Sequence, residues 1–129
     1  IFIEYEDEAM DEVYTSAFVI LQDLLNRNYS VVVDGIFKKL DFINKAIKIG
    51  KEKNISVVFY ELEASIDILK RRDRERGSKN QWLGKPLGDE LITSIYKTVK
   101  ANPIKGSIRI NTEEKSIDEC VQIIHTNFT

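Results

Sequence analysis

Two hydrophobic patterns alternate along the chain. Five segments place apolar residues at the 3.6-residue period of an amphipathic helix, and three shorter segments are apolar, β-branched runs typical of strands. We expect helices at 9–27, 41–53, 66–76, 89–100 and from 117 onward, and strands at 30–34, 55–62 and 107–111. Strands that alternate with helices imply right-handed crossovers, so the pattern predicts an α/β fold, a three-layer sandwich in which a mainly parallel sheet is flanked by helices.

Polar residues at the helix ends support these boundaries. Ser65 precedes the third helix as a candidate N-cap, and Gly77 follows that helix where glycine is favoured. The segment Ser116-Ile-Asp-Glu119 has the spacing of a capping box and predicts the start of the last helix.

Composition limits the classes of function. The 129 residues have a formal net charge of −2 and one cysteine, and no apolar stretch approaches the length of a membrane span. We therefore expect a single domain over 1–129 in a reducing, cytoplasmic setting, with no membrane partner. The net charge argues against a protein bound to nucleic acid through its overall field, although a local basic patch remains possible.

An acidic residue ends the first apolar run, which extends from Ser30 to Asp34 and continues into Gly35. Ligands of open parallel sheets bind at the carboxyl ends of the strands, so Asp34 is expected at the ligand edge. A carboxylate there suits a hydrated Mg²⁺ beside a phosphate, because this cation prefers oxygen ligands and keeps several waters. An Asp-Gly pair is also a common turn former, and the strand end alone leaves both interpretations open.

A cluster of basic residues follows the second predicted strand. Residues 70–79 contain six basic and two acidic side chains, whereas residues 4–12 contain six acidic ones. At 100° per residue, an arc of about 100° on the third helix contains Ser65, Ile68, Leu69, Arg72 and Arg76, and excludes Arg71 and Arg74. Two arginines thus extend the apolar stripe toward the sheet edge, a position that suits a polyphosphate. The alternative is a solvated basic face, the usual role of a charge cluster.

The order of these parts resembles the small P-loop kinases, in particular polynucleotide kinase and its AAA-type relatives, and also adenylate, shikimate and gluconate kinases. The stretch VVVDGIF resembles the Walker B-type strand of that group. The stretch FYELEASIDILKRRDRERG resembles the strand and helix that lead into its lid, with Arg72 and Arg76 matching two lid arginines that contact ATP phosphates. The resemblance spans essentially the whole chain, although each motif is short.

The resemblance implies a phosphotransferase that uses ATP and Mg²⁺ and transfers the γ-phosphate to a small molecule, a nucleotide or a nucleic acid end. Asp34 would organise the metal, and Arg72 and Arg76 would be catalytic and bind phosphate. Adenine would rest beside Asn111, Thr112 and Glu113, although an ordinary loop would look the same. The acceptor would meet Gly35, Phe37, Lys38 and, in a lid loop over 77–88, Trp82. Trp82 could equally be an incidental loop residue, and Lys38 a solvated one at the start of a helix.

The chain departs from the family at its defining motif. The P-loop, Gly-x-x-x-x-Gly-Lys-Ser/Thr, occurs nowhere in the sequence. We therefore expect a kinase-like domain whose first strand and P-loop segment are missing from this chain, and the resemblance places the general base in that missing segment. The other hypothesis is a non-catalytic α/β module, either a degenerate nucleotide-binding domain or a signalling domain.

Overall fold

The computed structural model describes residues 7–77 and 85–127 and contains five helices and two strands in that part of the chain. All five predicted helices are confirmed, each with ends within two residues of the expected ones. The elements in chain order are α1 (Asp7–Asn26), α2 (Asp41–Lys53), β1 (Tyr60–Glu63), α3 (Ile66–Arg76), α4 (Asp89–Ala101), β2 (Ile108–Asn111) and α5 (Ile117–Thr126).

The predicted three-layer α/β sandwich is wrong. In the described residues the sheet consists of β1 and β2 alone, which pair in parallel with Tyr60 opposite Ile108 and Glu63 opposite Asn111. The predicted strand at 30–34 is not assigned as a strand, and its Val32 is 72% exposed. A β-branched run forms a strand only where a second strand supplies hydrogen-bond partners, and hydrophobic periodicity contains no information about that partner.

The second predicted strand is also shorter than expected. Only the last three residues of the run at 55–62 belong to β1 (Tyr60–Glu63), and Val57 and Val58 remain 38% and 43% exposed. At the amino end of the parallel pair, the Ile108 N–H donates to the carbonyl of Phe59, the residue before β1, at 2.8 Å.

Two asparagines with left-handed backbone conformations lie within two residues of the ends of the first two helices. Asn28, two residues beyond α1, has φ 63°, and Asn54, the C-cap of α2, has φ 55°. Asparagine tolerates this conformation better than other side chains, which explains the helix ends. The capping box of α5 is confirmed, because Ser116 accepts from the Glu119 N–H while the Glu119 carboxylate accepts from the Ser116 N–H at 2.7 Å.

Gly77 ends α3 for a different reason from the one expected. Its φ is −55°, in the right-handed region that any residue adopts. A Cβ at this position would meet the ring of Pro86 and would lie 2.8 Å from the Pro86 nitrogen. Glycine therefore permits close contact between the two ends of the predicted lid loop. Residues 78–84 of that loop, Trp82 included, lie outside the described residues.

The buried apolar side chains divide between two regions. In the first, α2 packs on α1 and buries Phe42, Ile43, Ala46 and Ile49, as its pattern predicted. In the second, Ile110 of β2 is 1% exposed and Ile95 of α4 is 9% exposed.

Some apolar residues of the amphipathic helices are exposed, although their spacing predicts a buried face. Ile20 on α1 is 60% exposed, and Ile117 and Val121 on α5 are 82% and 53% exposed. Amphipathic spacing therefore identified these helices without identifying what covers their apolar faces. No described helix is both long and apolar enough to cross a membrane.

Candidate functional site

The carboxyl ends of the two strands position the loop after β2. The Thr112 N–H donates to the Glu63 carbonyl at 2.8 Å, which continues the parallel ladder one residue beyond β2. The Thr112 hydroxyl donates to the same carbonyl at 3.0 Å. These two bonds fix Thr112 at the edge of the sheet where the chain turns from β1 into α3.

Arg72 reaches from α3 to this loop and makes two hydrogen bonds there. Its Nη1 donates to the Thr112 hydroxyl at 2.8 Å, and its Nη2 donates to the Thr112 carbonyl at 2.7 Å. A guanidinium has five N–H donors, so these bonds leave the others available to a ligand. The bonds also hold the planar group in one orientation at an exposed position.

Glu113 joins the same loop to the start of α3. Its carboxylate accepts a hydrogen bond from the N–H of Ser65, the N-cap residue of that helix. Hydrogen bonds from the Ser65 backbone and side chain, with smaller contributions from Arg72 and Arg71, lower the pKa of Glu113 below its ordinary value of 4.5. The carboxylate form is therefore favoured, and it satisfies a donor at the helix N-terminus.

Asn111 completes this group through a local turn. Its side-chain oxygen accepts from the Glu113 N–H at 2.9 Å, the arrangement of an Asx turn. Four of the residues predicted to bind the cofactor thus form two hydrogen-bonded pairs in and beside one loop, Arg72 with Thr112 and Asn111 with Glu113. We call this group the sheet-edge cluster.

Arg76 lies one turn after Arg72 and is exposed. Side chains four residues apart on a helix are neighbours on one face, so the two guanidinium groups project from the same side of α3. Arg71 and Arg74, which lie outside that face, pair with acidic groups instead: Arg71 lies 3.7 Å from Glu75, and Arg74 lies 3.1 Å from Asp89.

The residues predicted to bind the acceptor lie against α1 and α2. A Cβ on Gly35 would lie 3.5 Å from the Tyr14 ring, and the Tyr14 hydroxyl donates to the Ile36 carbonyl. Phe37 stacks on Phe42, with ring centroids 5.3 Å apart and an angle of 22° between the planes. Lys38, the next residue along, lines a cavity between the two helices.

Asp34 is exposed at the start of this segment. Within residues 7–77 and 85–127, no hydrogen bond or ion pair joins Asp34 to Arg72 or Arg76. The same residues contain no group of three His, Cys, Asp or Glu side chains placed to bind a metal ion. One exposed carboxylate does not by itself form a cation site. The role of Asp34 toward Mg²⁺ therefore stays a prediction.

Sequence reasoning missed Asp73, a buried charged residue of this region, which is only 2% exposed. Its two carboxylate oxygens accept from the N–H groups of Leu87 and Gly88, each at 3.0 Å. The pattern contained a signal for this burial, because Asp73 follows Leu69 by four positions and so continues a row of the helix that faces inward. The carboxylate fixes α3 to the start of α4.

No protein-family model, curated protein or solved structure matches the chain. The resemblance to small P-loop kinases thus stays a prediction.

Proposed function

We propose that the protein is an ATP-dependent phosphotransferase in which Arg72 and Arg76 bind the phosphates of the nucleotide. The reaction is transfer of the γ-phosphate to a hydroxyl or phosphate of a small molecule, a nucleotide or a nucleic acid end. The supporting observation is the pair of hydrogen bonds, 2.8 and 2.7 Å long, by which Thr112 orients the Arg72 guanidinium. A cytoplasmic setting belongs to the same proposal.

Orientation matters because catalysis of phosphoryl transfer consists mainly of positioning and stabilisation of charge. A free arginine loses side-chain freedom when it binds a phosphate, at a cost of up to about 2 kcal/mol. The two hydrogen bonds to Thr112 already restrict the Arg72 side chain, so part of this loss of freedom occurs before the nucleotide binds. The remaining N–H groups then form short, charge-assisted bonds to phosphate oxygens.

Arg76 supplies the second positive charge of the proposed site. Its position one turn from Arg72 suits two groups that bind neighbouring phosphates of one polyphosphate chain. Glu113 would otherwise place a negative charge beside them, but its carboxylate accepts from the Ser65 N–H at the helix N-terminus. The loop from Asn111 to Glu113 then offers backbone and amide groups to the adenine.

The 129 residues contain no Gly-x-x-x-x-Gly-Lys-Ser/Thr motif. Arg72 and Arg76 therefore carry the proposed phosphate contacts.

The test is a calorimetric titration with Mg-ATP, AMP and adenosine. Because the proposed contacts are to phosphates, we expect ATP to bind most tightly and adenosine most weakly. Replacement of Arg76 by Ala should weaken ATP binding roughly 10- to 100-fold, the range expected for lost hydrogen bonds between charged groups. Arg74→Ala, on the same helix but paired with Asp89, is the matched control and should leave affinity within about twofold.

Two results would decide against the proposal in different ways. Equal affinities for ATP and adenosine would exclude the phosphate contacts. Tight ATP binding without transfer to water or to any acceptor would favour the non-catalytic nucleotide-binding domain.

A further inference from the structure

The strand β1 has one paired side and one open side. On the paired side, the carbonyls of Phe59 and Glu63 accept N–H groups of β2 and of the residue after it, each at 2.8 Å. Because backbone groups alternate in direction along a strand, Tyr60 and Leu62 direct theirs to the opposite side. In the part of the chain that the structure describes, no hydrogen bond engages the N–H or carbonyl of either residue. We call the backbone groups of Tyr60 and Leu62 the outer edge of β1.

The outer edge lacks the features that usually protect an exposed strand, which are lysine, proline or a bulge. The strand reads Tyr-Glu-Leu-Glu and pairs with β2 in unbroken register. Its two carboxylates are engaged within the chain, since Glu61 accepts from the Ile104 N–H at 3.3 Å and Glu63 lies 3.3 Å from Lys100. Leu62, in contrast, is 61% exposed. An unprotected edge of this kind is a template for pairing with another strand.

A second segment of the chain has the composition of a strand but no strand to pair with. Residues 30–34 read Ser-Val-Val-Val-Asp, and within the described ranges they make no backbone hydrogen bond. Val32, at the centre of this segment, is 72% exposed. The segment does not pair with β1 of its own chain. Each chain therefore has both an open edge and a strand-forming segment, a combination that is self-complementary between two copies.

The accessible surface of the chain is large enough to include such an interface. It amounts to 9,889 Å², roughly 2,900 Å² more than a folded monomer of 14.9 kDa is expected to expose. A dimer interface of standard size covers only about 800 Å² of each partner. Apolar surface is open beside β1, where Val57 and Val58 are 38% and 43% exposed, whereas Ile110 of β2 is 1% exposed. The side of β1 is therefore where a partner covers most apolar area.

We propose that the protein forms a twofold dimer in which residues 30–34 of each copy pair with the outer edge of β1 of the other copy. The added segment supplies partners for the backbone groups of Tyr60 and Leu62, which is recognition by strand addition. It also extends a two-stranded sheet to three strands, and sheets of three strands are more stable than isolated pairs. This interface goes beyond the proposed function and does not depend on nucleotide.

Sedimentation velocity over a concentration series, combined with amide hydrogen exchange followed by NMR, tests this arrangement. We expect a species of twice the 14.9 kDa mass of the chain as its concentration rises. In the dimer the Leu62 amide should exchange at least about tenfold more slowly than in the monomer. The Glu61 and Glu63 amides face β2 and should be protected in both states. A monomer at all concentrations up to about 1 mM, or a dimer in which Leu62 exchanges freely, would overturn the proposal.

Two variants separate the added segment from the edge that receives it. Val32→Lys disrupts the segment, and Leu62→Lys places a protecting charge at the edge; both positions are exposed, so the fold should be retained. Each variant alone should dimerise at least about tenfold more weakly, whereas a mixture of the two retains one intact contact and should form a heterodimer. Val19→Lys, at a 61% exposed position of α1, is the control and should dimerise normally. Equal losses in all three variants would contradict the assignment.

A peptide tests whether the partner is a second copy. The probe is a synthetic peptide of residues 29–35, added to the Val32→Lys chain, whose outer edge is unchanged. We expect the peptide to protect the Leu62 amide, and the same peptide with Val32→Lys to give no protection. Equal protection by a β-branched peptide of unrelated sequence would show that the edge accepts strands of other proteins and would overturn the choice of a second copy.

Discussion

The buried carboxylate of Asp73 offers the sharpest test of how the described fold is stabilised. Replacement by Ala removes both acceptors of the Leu87 and Gly88 N–H groups, each 3.0 Å from a carboxylate oxygen. These donors lie directly before α4, where helix geometry supplies no internal partner. The change therefore leaves two partly buried N–H groups without their protein acceptors.

The magnitude follows from the number of bonds and their exposure. A hydrogen bond to a charged group contributes about 1.5–3 kcal/mol, which gives roughly 3–6 kcal/mol for two. Leu87 and Gly88 are half-buried, so water replaces part of the loss, and we expect Asp73→Ala to lower the free energy of unfolding by about 3 kcal/mol. Asp73→Asn keeps one acceptor oxygen and should lower it by about half as much.

Urea unfolding followed by circular dichroism measures this difference. With a slope of about 2 kcal/mol per molar, a loss of about 3 kcal/mol moves the midpoint down by about 1.5 M. The matched control is Glu75→Ala, an exposed residue of α3 whose only described ion pair, with Arg71, is 3.7 Å long, and it should change stability by less than about 1 kcal/mol. If Asp73→Ala lowers the free energy of unfolding no more than Glu75→Ala does, the two hydrogen bonds do not stabilise the fold.

Three further predictions concern other contacts. Gly50→Ala should destabilise the protein by about 1–2 kcal/mol in the same urea assay, since the new Cβ would lie 2.5 Å from Val57 Cγ2 and overpacking outweighs the gain in helix propensity; a stabilised variant would contradict the contact. Ser116→Ala should lower stability by about 1 kcal/mol through loss of the cap on α5, and unchanged helix content and midpoint would argue against the capping box. The lowered pKa of Glu113 predicts that its contact with the N-cap of α3 is complete above pH 4.5 and is lost as the pH falls through the lowered value, which side-chain carboxyl shifts in NMR would show; a Glu113 titration at or above the ordinary value would refute it.

Helices were predicted well because their determinants are local. The α2 boundaries at Asp41 and Lys53 match the pattern residue for residue, and the Ser116 capping box is a four-residue signal. Strand pairing is not local. The run ending at Asp34 and the first half of the run at 55–62 have the composition of strands but no pairing partner in the described residues, so the sheet and the fold class were predicted incorrectly.

The features of the candidate site also differ in whether their determinants are local. On α3 the structure bonds Arg72 to Thr112 and places Arg71 3.7 Å from Glu75, a difference in direction that follows from the period of one helix. The relation between Asp34 and this helix depends on the sheet, which periodicity did not determine. Asp73 was missed because its hydrogen-bond partners are backbone groups 14 and 15 positions away, which the period of the helix does not identify.

The most direct test of the central claim is the affinity of Mg-ATP for Arg72→Lys, measured by calorimetry. Lysine keeps the positive charge but cannot form the two-point contact with Thr112, so an oriented guanidinium predicts a loss of roughly tenfold or more in affinity. Arg71→Lys, one position away and paired with Glu75 at 3.7 Å, should bind as the unmodified protein does. Unchanged ATP affinity in Arg72→Lys, or equal losses in both variants, would contradict the account.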